Sequence, residues 1–330
     1  MAIVIPGMIR LNNQGTPMQT DLSHTLTIGV SSRALFDLEA ENRIFEEKGV
    51  EAYRAYQIEH EGDFPSPGAA FPLVQALLEL NRKLGREVVT VTLLSRNSPD
   101  LGLRLTQAAS HYGLDIKRWA FTSGEPVACF LKPFDVDLFL SRDHATVDQA
   151  VNAGVAAAVV YPPKHADYAA RPETITVAFD ADAVIFSGES EAIFRRDGMQ
   201  AFLDHEREHA RDPLAAGPMA RLLKTLSALQ KAAPAEAPLV RVIVVTARSA
   251  PAHERVLHTL RLWGIRVDQV FMLGGLPKAP FLNELRPHLF FDDQDIHAGP
   301  AAEFGPACLV PYRPEPLGID ISTAKDIAKV

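Results

Sequence analysis

Residues 176–190 read TVAFDADAVIFSGES, and this stretch decides the fold that the rest of the sequence predicts. β-Forming residues alternate through Val177 and Phe179, which is typical of a buried parallel strand. Asp180 and Asp182 follow on one side of the chain, just past the carboxyl end of that strand, where open α/β sheets bind ligands. Two carboxylates this close resist being ionised together unless a cation lies between them or one carries a proton. The stretch therefore predicts a strand-end site for Mg²⁺ or for acid/base chemistry, with an aspartate-rich turn as the alternative.

The composition is that of a globular protein long enough for two domains. The chain has 330 residues, of which 47% are hydrophobic and 22% are charged. Its net charge of −8 argues against nucleic acid as a partner, because binding to phosphate backbones needs a basic face. Cys129 and Cys308 show neither CxxC nor zinc-type spacing. With no leader-type pattern and no apolar run of membrane-spanning length, we expect a cytoplasmic protein without a membrane partner.

Strand-like and helical patterns alternate along the chain. The strand-like runs are 26–30, 88–94, 138–140, 156–161, 174–179, 240–245, 270–273 and 288–291. The clearest helical patterns are 71–83, 101–112, 219–231 and 253–263. This alternation predicts an α/β fold with a parallel sheet and helices on both faces. A stretch rich in proline, alanine and charge predicts a linker at 162–173, and a second loose stretch lies at 232–238.

The second half of the sequence repeats the first. Residues 112–142 align with 263–293 at a constant offset (264 − 113 = 151), and 8 of the 31 aligned pairs are identical. Upstream, residues 27–36 align with 176–185 (176 − 27 = 149). We therefore predict two tandem Rossmann-like units with parallel sheets. The predicted division is an N-terminal extension at 1–25, a first unit at 26–161, the linker, and a second unit at 174–330.

The two halves differ at the strand ends that carry the candidate chemistry. The aligned pairs are Asp180 with Ser31, Asp182 with Arg33, Lys278 with Val127, Asp292 with Ser141 and Asp293 with Arg142. These carboxylates and the lysine are thus confined to the second half. We predict that only the second unit is catalytic and that the first is a degenerate copy.

Four motifs of the second half fall at the ends of successive strands. They are, in order, DxD at Asp180 and Asp182, Thr246 with Ala247, Lys278 after a Gly-Gly turn, and DD at Asp292 and Asp293. This order resembles the four motifs of the haloacid-dehalogenase-like (HAD-like) phosphohydrolases.

Longer segments narrow the resemblance to one family within that superfamily. FDADAVIFSGESE, HEREHARDPLAAGP, VTARSA, LGGLPKAPFL and RPHLFFDDQ resemble the cytosolic 5′-nucleotidase I family, as do VSSRALF, SPGAAFP and TSGEPVACFLKPFDVDLFLSRD in the first half. The likeness covers about residues 26–299. One departure is Gly188, where the family pattern FSDES has an aspartate, and it bears on nucleotide preference more than on the chemistry.

The resemblance implies a 5′-nucleotidase that hydrolyses nucleoside 5′-monophosphates, with AMP favoured and IMP and deoxynucleotides left open. It implies that Asp180 is the nucleophile and forms an aspartyl-phosphate. It also implies that Asp182 protonates the departing nucleoside oxygen and later takes a proton from water.

The resemblance further implies a Mg²⁺ cofactor and a phosphate-binding set. Mg²⁺ would be bound by the first aspartate of DxD, the main-chain carbonyl of the second, and the DD pair. Within that pair Asp293 would be the direct ligand and Asp292 its close support. The Thr246 hydroxyl and the amide of Ala247 would bind phosphate oxygens, and Lys278 would neutralise their charge.

Residues 187–238 separate the first motif from the second and read mostly as helix. In HAD-like proteins such an insertion forms a cap that excludes water and selects the leaving group. Candidates for contacts with the nucleotide or an effector are Glu189, His205 and Glu206 in this cap, Arg248 after the second motif, and Arg33, Asn97 and Lys132 in the first half. The family also includes larger assemblies, so a homo-oligomer stays open.

Three alternatives remain on the sequence alone. One is a HAD-type phosphatase for another small phosphate ester, and a second is a catalytically silent nucleotide-sensing or interaction protein. The third rests on the literal HExxH at 205–209, whose two histidines could bind zinc with Glu206 as the general base of a metalloprotease. The longer zincin signature fails, because its glycine and third histidine are absent. Shorter zincins take a downstream glutamate as the third ligand, and here no acidic residue follows Asp212 until Glu236.

Overall fold

The computed structural model describes residues 25–99, 102–164, 174–231, 238–313, 315 and 317–325. Residues 1–24 of the predicted N-terminal extension lie outside the described residues. The same holds for 165–173 of the predicted linker and for 232–237 of the second loose stretch. These parts of the predicted domain division therefore stay predictions.

Strands and helices alternate, as the sequence pattern predicts. The strands are β1 (Leu26–Ser31), β2 (Val89–Ser95), β3 (Arg118–Phe121), β4 (Leu138–Ser141), β5 (Ala156–Tyr161), β6 (Ile175–Phe179), β7 (Val240–Thr246), β8 (Gln269–Met272), β9 (Leu289–Asp292) and β10 (Ala307–Leu309). The helices of the first half are α1 (Ser32–Leu35), α2 (Glu39–Glu59), α3 (Phe71–Leu84), α4 (Gly102–His111), α5 (Ala128–Leu131) and α6 (His144–Asn152). Those of the second half are α7 (Glu189–Glu208), α8 (Ala220–Lys231), α9 (His253–Leu262), α10 (Ala279–Leu285) and α11 (Asp295–Ala301), with a π-helical turn at Ala181–Ile185.

All ten strands belong to one sheet, in the order β3-β2-β1-β4-β5-β10-β9-β6-β7-β8. Neighbouring strands are parallel except β5 and β10, which pair antiparallel. Each half contributes five strands in the same relative order, and the two sets meet at β5 and β10. The sequence predicted tandem units with parallel sheets; in the structure one sheet runs through both halves, and the shared pair satisfies backbone groups that two open edges would leave exposed.

The strand bounds follow the offsets read from the sequence. β2 and β7 begin and end 151 residues apart (240 − 89 = 246 − 95 = 151), as do β4 and β9 (289 − 138 = 292 − 141 = 151). Helices α2 and α7 also share a break, at Gly49 (φ 81°, ψ −178°) and Gly198 (φ 83°, ψ −177°). Such a left-handed φ favours glycine, so both helices bend at the residue that tolerates it.

Two amphipathic helices build the core beneath the centre of the sheet. Leu73 and Leu77 of α3 lie beside Leu222 and Leu226 of α8, all buried. Helix α8 packs on β7, so this part of the insertion predicted at 187–238 covers the sheet. Helix α7 is the part that precedes it, next to the strand ends.

The C-terminal segment ties the second half to the first. Lys325 is buried and pairs with Asp137 at 2.7 Å, and its ammonium donates to the carbonyl of Thr25 at 2.9 Å. Arg313 pairs with Asp148 of α6 at 3.0 Å. In the part of the chain that the structure describes, no helix is long and apolar enough to cross a membrane.

Candidate active site

Three aspartates meet at the carboxyl ends of the neighbouring strands β6 and β9. The backbone N–H of Asp180 donates to the carbonyl of Phe291 at 2.8 Å, which fixes the end of β6 beside the DD pair. Asp180, Asp292 and Asp293 each place a carboxylate oxygen within 4.8 Å of the other two, and all three are buried. The structure thus brings together three of the four aspartates that the sequence placed in one site.

Lys278 lies inside this cluster and is 2% exposed. Its ammonium donates to Asp292 Oδ2 at 2.6 Å and lies 2.9 Å from Asp180 Oδ1, an ion pair without hydrogen-bond geometry. Although burial opposes its charge, the two carboxylates raise the pKa of Lys278. The lysine is therefore a fixed positive charge between the two strands, in the position that the motif order predicts.

The carboxylates outnumber the cations that face them, and their pKa values reflect it. Burial is the largest cause that raises the pKa of Asp180 to about 6, with Lys278 opposing and Asp292 adding to the rise. Burial also raises the pKa of Asp293 to about 8, and the charges of Asp180 and Asp292 raise it further. Both carboxylate oxygens of Asp293 are buried without a hydrogen-bond partner. Buried oxygens that lack donors, next to two more carboxylates, fit a divalent cation with oxygen ligands.

Asp182 faces a different partner. Arg248 donates from Nε and Nη2 to the two Asp182 oxygens, at 2.7 and 2.6 Å. Arg248 also pairs with Glu206 of α7, which is fully buried, and the carboxylates raise the pKa of the guanidinium despite its burial. Arg248 thus joins the strand ends to α7.

The phosphate-binding candidates lie at the next strand end. Thr246 ends β7, is buried, and its hydroxyl accepts from the backbone N–H of Arg248 at 3.2 Å. Ala247 is exposed, and its carbonyl accepts from Gly275 at 3.2 Å, which holds the loop before Lys278 beside it.

The HExxH residues form a helix end instead of a ligand pair. His205 and His209 stack with ring centroids 4.2 Å apart, and Glu206 is engaged by Arg248 and Arg255. Tyr56 and His60 stack in the same way at the end of α2, at 3.9 Å. Because the first half repeats the arrangement with a tyrosine in place of the first histidine, this geometry does not support the zinc alternative.

The remaining cap candidate and the first-half candidates are dispersed. Glu189 is exposed at the start of α7. Arg33 and Asn97 line a cavity at the strand ends of the first half, whereas Lys132 is exposed beyond α5 and does not line it.

The sequence did not reveal the role of Glu191 or the structural reason for Gly188. Glu191 of α7 contributes to the raised pKa of Asp293 and so lies within electrostatic reach of the cluster. Gly188 has a structural reason: a Cβ there would lie 2.5 Å from the backbone oxygen of Arg313. Both findings depend on contacts between residues that are far apart in the sequence, so no sequence motif could have revealed them.

The fold and the site define an α/β protein with a buried acidic ligand cluster at the carboxyl edge of its sheet. Its family follows from comparison: the chain belongs to the 5′-nucleotidase family, whose model matches residues 18–316. The chain is 36% identical over 293 residues to human (Homo sapiens) cytosolic 5′-nucleotidase 1B. The aligned region covers 86% of this chain and 48% of the human protein. This confirms the resemblance read from the motifs. The chain spans about half the length of that relative.

Solved structures resemble the chain only distantly. The HAD domain of the effector protein Lem4 from Legionella pneumophila is 15% identical, with a TM-score of 0.26, and the match covers 48% of this chain and 98% of that one. Histidinol dehydrogenase from Elizabethkingia anophelis is 12% identical, with a TM-score of 0.22, over 86% of this chain and 52% of that one.

Proposed function

We propose that the protein is a Mg²⁺-dependent 5′-nucleotidase that hydrolyses nucleoside 5′-monophosphates, AMP before IMP and deoxynucleotides. The observation that carries the proposal is the buried cluster of Asp180, Asp292 and Asp293 around Lys278. Membership of the 5′-nucleotidase family supports the reaction, and the name of the human relative supports a cytoplasmic location. We propose two tandem HAD-like units, at 26–161 and 174–330, of which the second is catalytic; within its insertion at about 187–238, α7 is the proposed cap, whereas α8 covers the sheet.

Asp180 is the proposed nucleophile. One of its oxygens forms a bond to phosphorus as the bond from phosphorus to the nucleoside 5′-oxygen breaks, which leaves an aspartyl-phosphate. Lys278, close to this carboxylate, balances the charge on the transferred oxygens. Water then attacks phosphorus, the acyl-phosphate bond breaks, and Asp180 is restored.

Asp182 is the proposed acid and base of these two steps. It delivers the proton that the departing 5′-oxygen needs and later accepts one from the attacking water. Because both its oxygens accept from Arg248, donating a proton requires this pair to part. A nucleotide that enters beneath α7 would compete for Arg248, which links Asp182 to Glu206 of that helix.

Asp180, Asp292 and Asp293 would hold the magnesium ion. When bound, Mg²⁺ supplies positive charge that stabilises the phosphate oxygens and neutralises the cluster. Asp293 suits the direct ligand, since its two oxygens lack any hydrogen bond, whereas Asp292 already accepts from Lys278. Thr246 and the amide of Ala247 would complete the phosphate contacts.

The test is phosphate release from a panel of nucleoside monophosphates and other phosphate esters, with Mg²⁺ or with EDTA. We expect Mg²⁺-dependent release that Asp180→Asn lowers on the order of 10⁴-fold or more. Asp115→Asn, at a largely exposed carboxylate of the first half, is the matched control and should keep the wild-type rate. Activity that survives EDTA or Asp180→Asn would refute the mechanism. Release from other esters alone would favour the broader phosphatase, and no release at all would favour a silent sensor.

A further inference from the structure

A cavity of about 450 Å³ opens in the first half, at the carboxyl ends of β1, β2 and β4 and under α2. It occupies the place that the acidic cluster occupies in the second half, because its strand-end residues align with that cluster at the offsets of 149 and 151. A volume of this size lies within the range of ordinary small-molecule sites, roughly 300–1,000 Å³.

The strand ends that line this cavity carry the opposite charge to those of the second half. Ser31 and Ser141 stand where the second half has Asp180 and Asp292, and Arg33 and Arg142 stand where it has Asp182 and Asp293. Hydroxyls and guanidinium groups at these positions attract an anion directly. The residues that line the cavity include no counterpart of the proposed nucleophile or of the acidic cluster.

The acidic groups near these arginines leave them donors to spare. Glu39 lies 3.0 Å from Arg33 and 3.6 Å from Arg142, so one carboxylate serves two guanidinium groups. Asp143 is occupied by capping α6, where it accepts from Thr146. Arg33 Nε is buried without a hydrogen-bond partner. Glu46, also on the lining, lies on α2 and accepts from Asn42 at 2.7 Å.

The opposite wall, from α2, presents two aromatic rings and a valine beside the polar Asn42 and Glu46. Phe45 and Tyr53 meet edge to face with ring centroids 5.9 Å apart, and Val50 is 59% exposed at the same wall. The Tyr53 hydroxyl donates to Asn97 at 3.1 Å and so fixes its ring above the strand ends. A flat ring bound here would cover apolar surface that the protein leaves in water.

We propose that this cavity binds a phosphate monoester that carries a flat ring, a nucleoside monophosphate by chemical class, without a metal and without hydrolysing it. Arg33 and Arg142 bind the phosphate, and the Phe45, Val50 and Tyr53 wall covers the ring. The choice of a nucleotide as ligand class rests on the proposed function of the second half. The features that indicate an anion site at the basic strand ends and a ring site at the apolar wall are independent of that proposed function.

The test is isothermal titration of the full chain with AMP in EDTA, which removes the metal that the acidic cluster of the second half needs. We expect one AMP per chain, with inorganic phosphate and adenosine each binding more weakly because each reaches only one wall. Arg142→Ser and Arg33→Ser should weaken AMP binding roughly tenfold or more, since each removes charge-assisted hydrogen bonds. Val50→Glu, at an exposed side chain, should also weaken AMP, while Arg82→Ser, on α3 outside the cavity, should not.

Thermal unfolding of each variant confirms that it is folded. Because Val50 is exposed and makes no ion pair, Val50→Glu tests the cavity without changing either arginine. No AMP binding in EDTA, or binding that survives both Arg33→Ser and Arg142→Ser, would overturn the proposal. Inorganic phosphate that binds as tightly as AMP would overturn the role of the apolar wall. Mg²⁺-dependent phosphate release is measured on the same samples: release without AMP binding in EDTA refutes only the cavity, and binding without release refutes only the proposed function.

Discussion

Asp293→Asn should stabilise the metal-free protein, although it removes a proposed metal ligand. Asp293 is 8% exposed, both its oxygens lack hydrogen bonds, and burial next to Asp180 and Asp292 raises its pKa to about 8. A carboxyl group whose pKa is higher in the folded state binds its proton more tightly there. Its contribution to stability is therefore present at low pH and lost as pH rises from its unfolded value near 4 towards 8.

The size of this loss follows from the shift. Between pH 4 and pH 7 the wild type loses about 4 kcal/mol through Asp293, at about 1.4 kcal/mol for each pH unit above the unfolded pKa. An asparagine does not titrate, so it escapes this loss. In EDTA the free energy of unfolding of Asp293→Asn should thus exceed that of the wild type by an amount that grows with pH. Buried carboxylates that repel one another explain why a site built for a cation is unstable without it.

The assay is urea unfolding of the wild type and Asp293→Asn in EDTA at several pH values from 4 to 7, repeated at neutral pH with saturating Mg²⁺. Mg²⁺ should stabilise the wild type far more than the variant, because a ligand that binds only the folded state adds to its stability. Asp115→Asn, at an exposed carboxylate, controls for loss of charge alone. A difference between the wild type and Asp293→Asn that does not change with pH, or equal stabilisation of both by Mg²⁺, would refute the reasoning.

Two further predictions concern stability. Burial lowers the pKa of His288 to about 4, so the contribution of this histidine to stability is present above pH 6.5 and lost as pH falls towards 4. Relative to His288→Gln, the wild type should lose about 3 kcal/mol of unfolding free energy over that interval. A difference between the two proteins that stays constant with pH would contradict this. Gly188→Ala should lower the unfolding free energy by about 1–3 kcal/mol, because its Cβ would meet the backbone oxygen of Arg313. Gly62→Ala, where a Cβ meets no atom within 4 Å, is the control, and an equal effect of both substitutions would exclude the clash.

Most central strands were predictable from the sequence, because a buried parallel strand leaves an apolar run that turn residues bound. β5 has the bounds predicted for it, and β4 and β7 each extend one residue beyond theirs. β3 and β10 were missed for physical reasons. β3 is an edge strand whose residues are all half-buried, and β10 has three residues and depends on β5 and β9 to form.

The candidate site was predictable only where its residues share a strand-end position. Chain order placed Asp180, Asp292 and Lys278 at one edge of the sheet, and they meet there. The pairing of Asp182 with Arg248 depends on how far a long side chain reaches across the fold. No pattern along the chain encodes that distance.

The two halves also differ in a buried ion pair near their strand ends. Arg248 and Glu206 form a buried ion pair in the second half, and the aligned residues of the first half are Asn97 and Gln57 (248 − 97 = 151, 206 − 57 = 149). The first half thus has two uncharged amides where the second half has a buried arginine and a buried glutamate. Gln57 still accepts from Arg104, as Glu206 accepts from Arg255, and the helix stays in place.

Asn97 is shorter than arginine and lines the cavity, so the space that a guanidinium fills in the second half is open in the first. The same strand ends that gather carboxylates around Lys278 there present Arg33 and Arg142 here. One arrangement needs a cation before it can accept a phosphate; the other needs none. A phosphate ester should therefore lose its binding to the second half when EDTA removes the metal and keep its binding to the first, so titrations with Mg²⁺ and with EDTA separate the two sites.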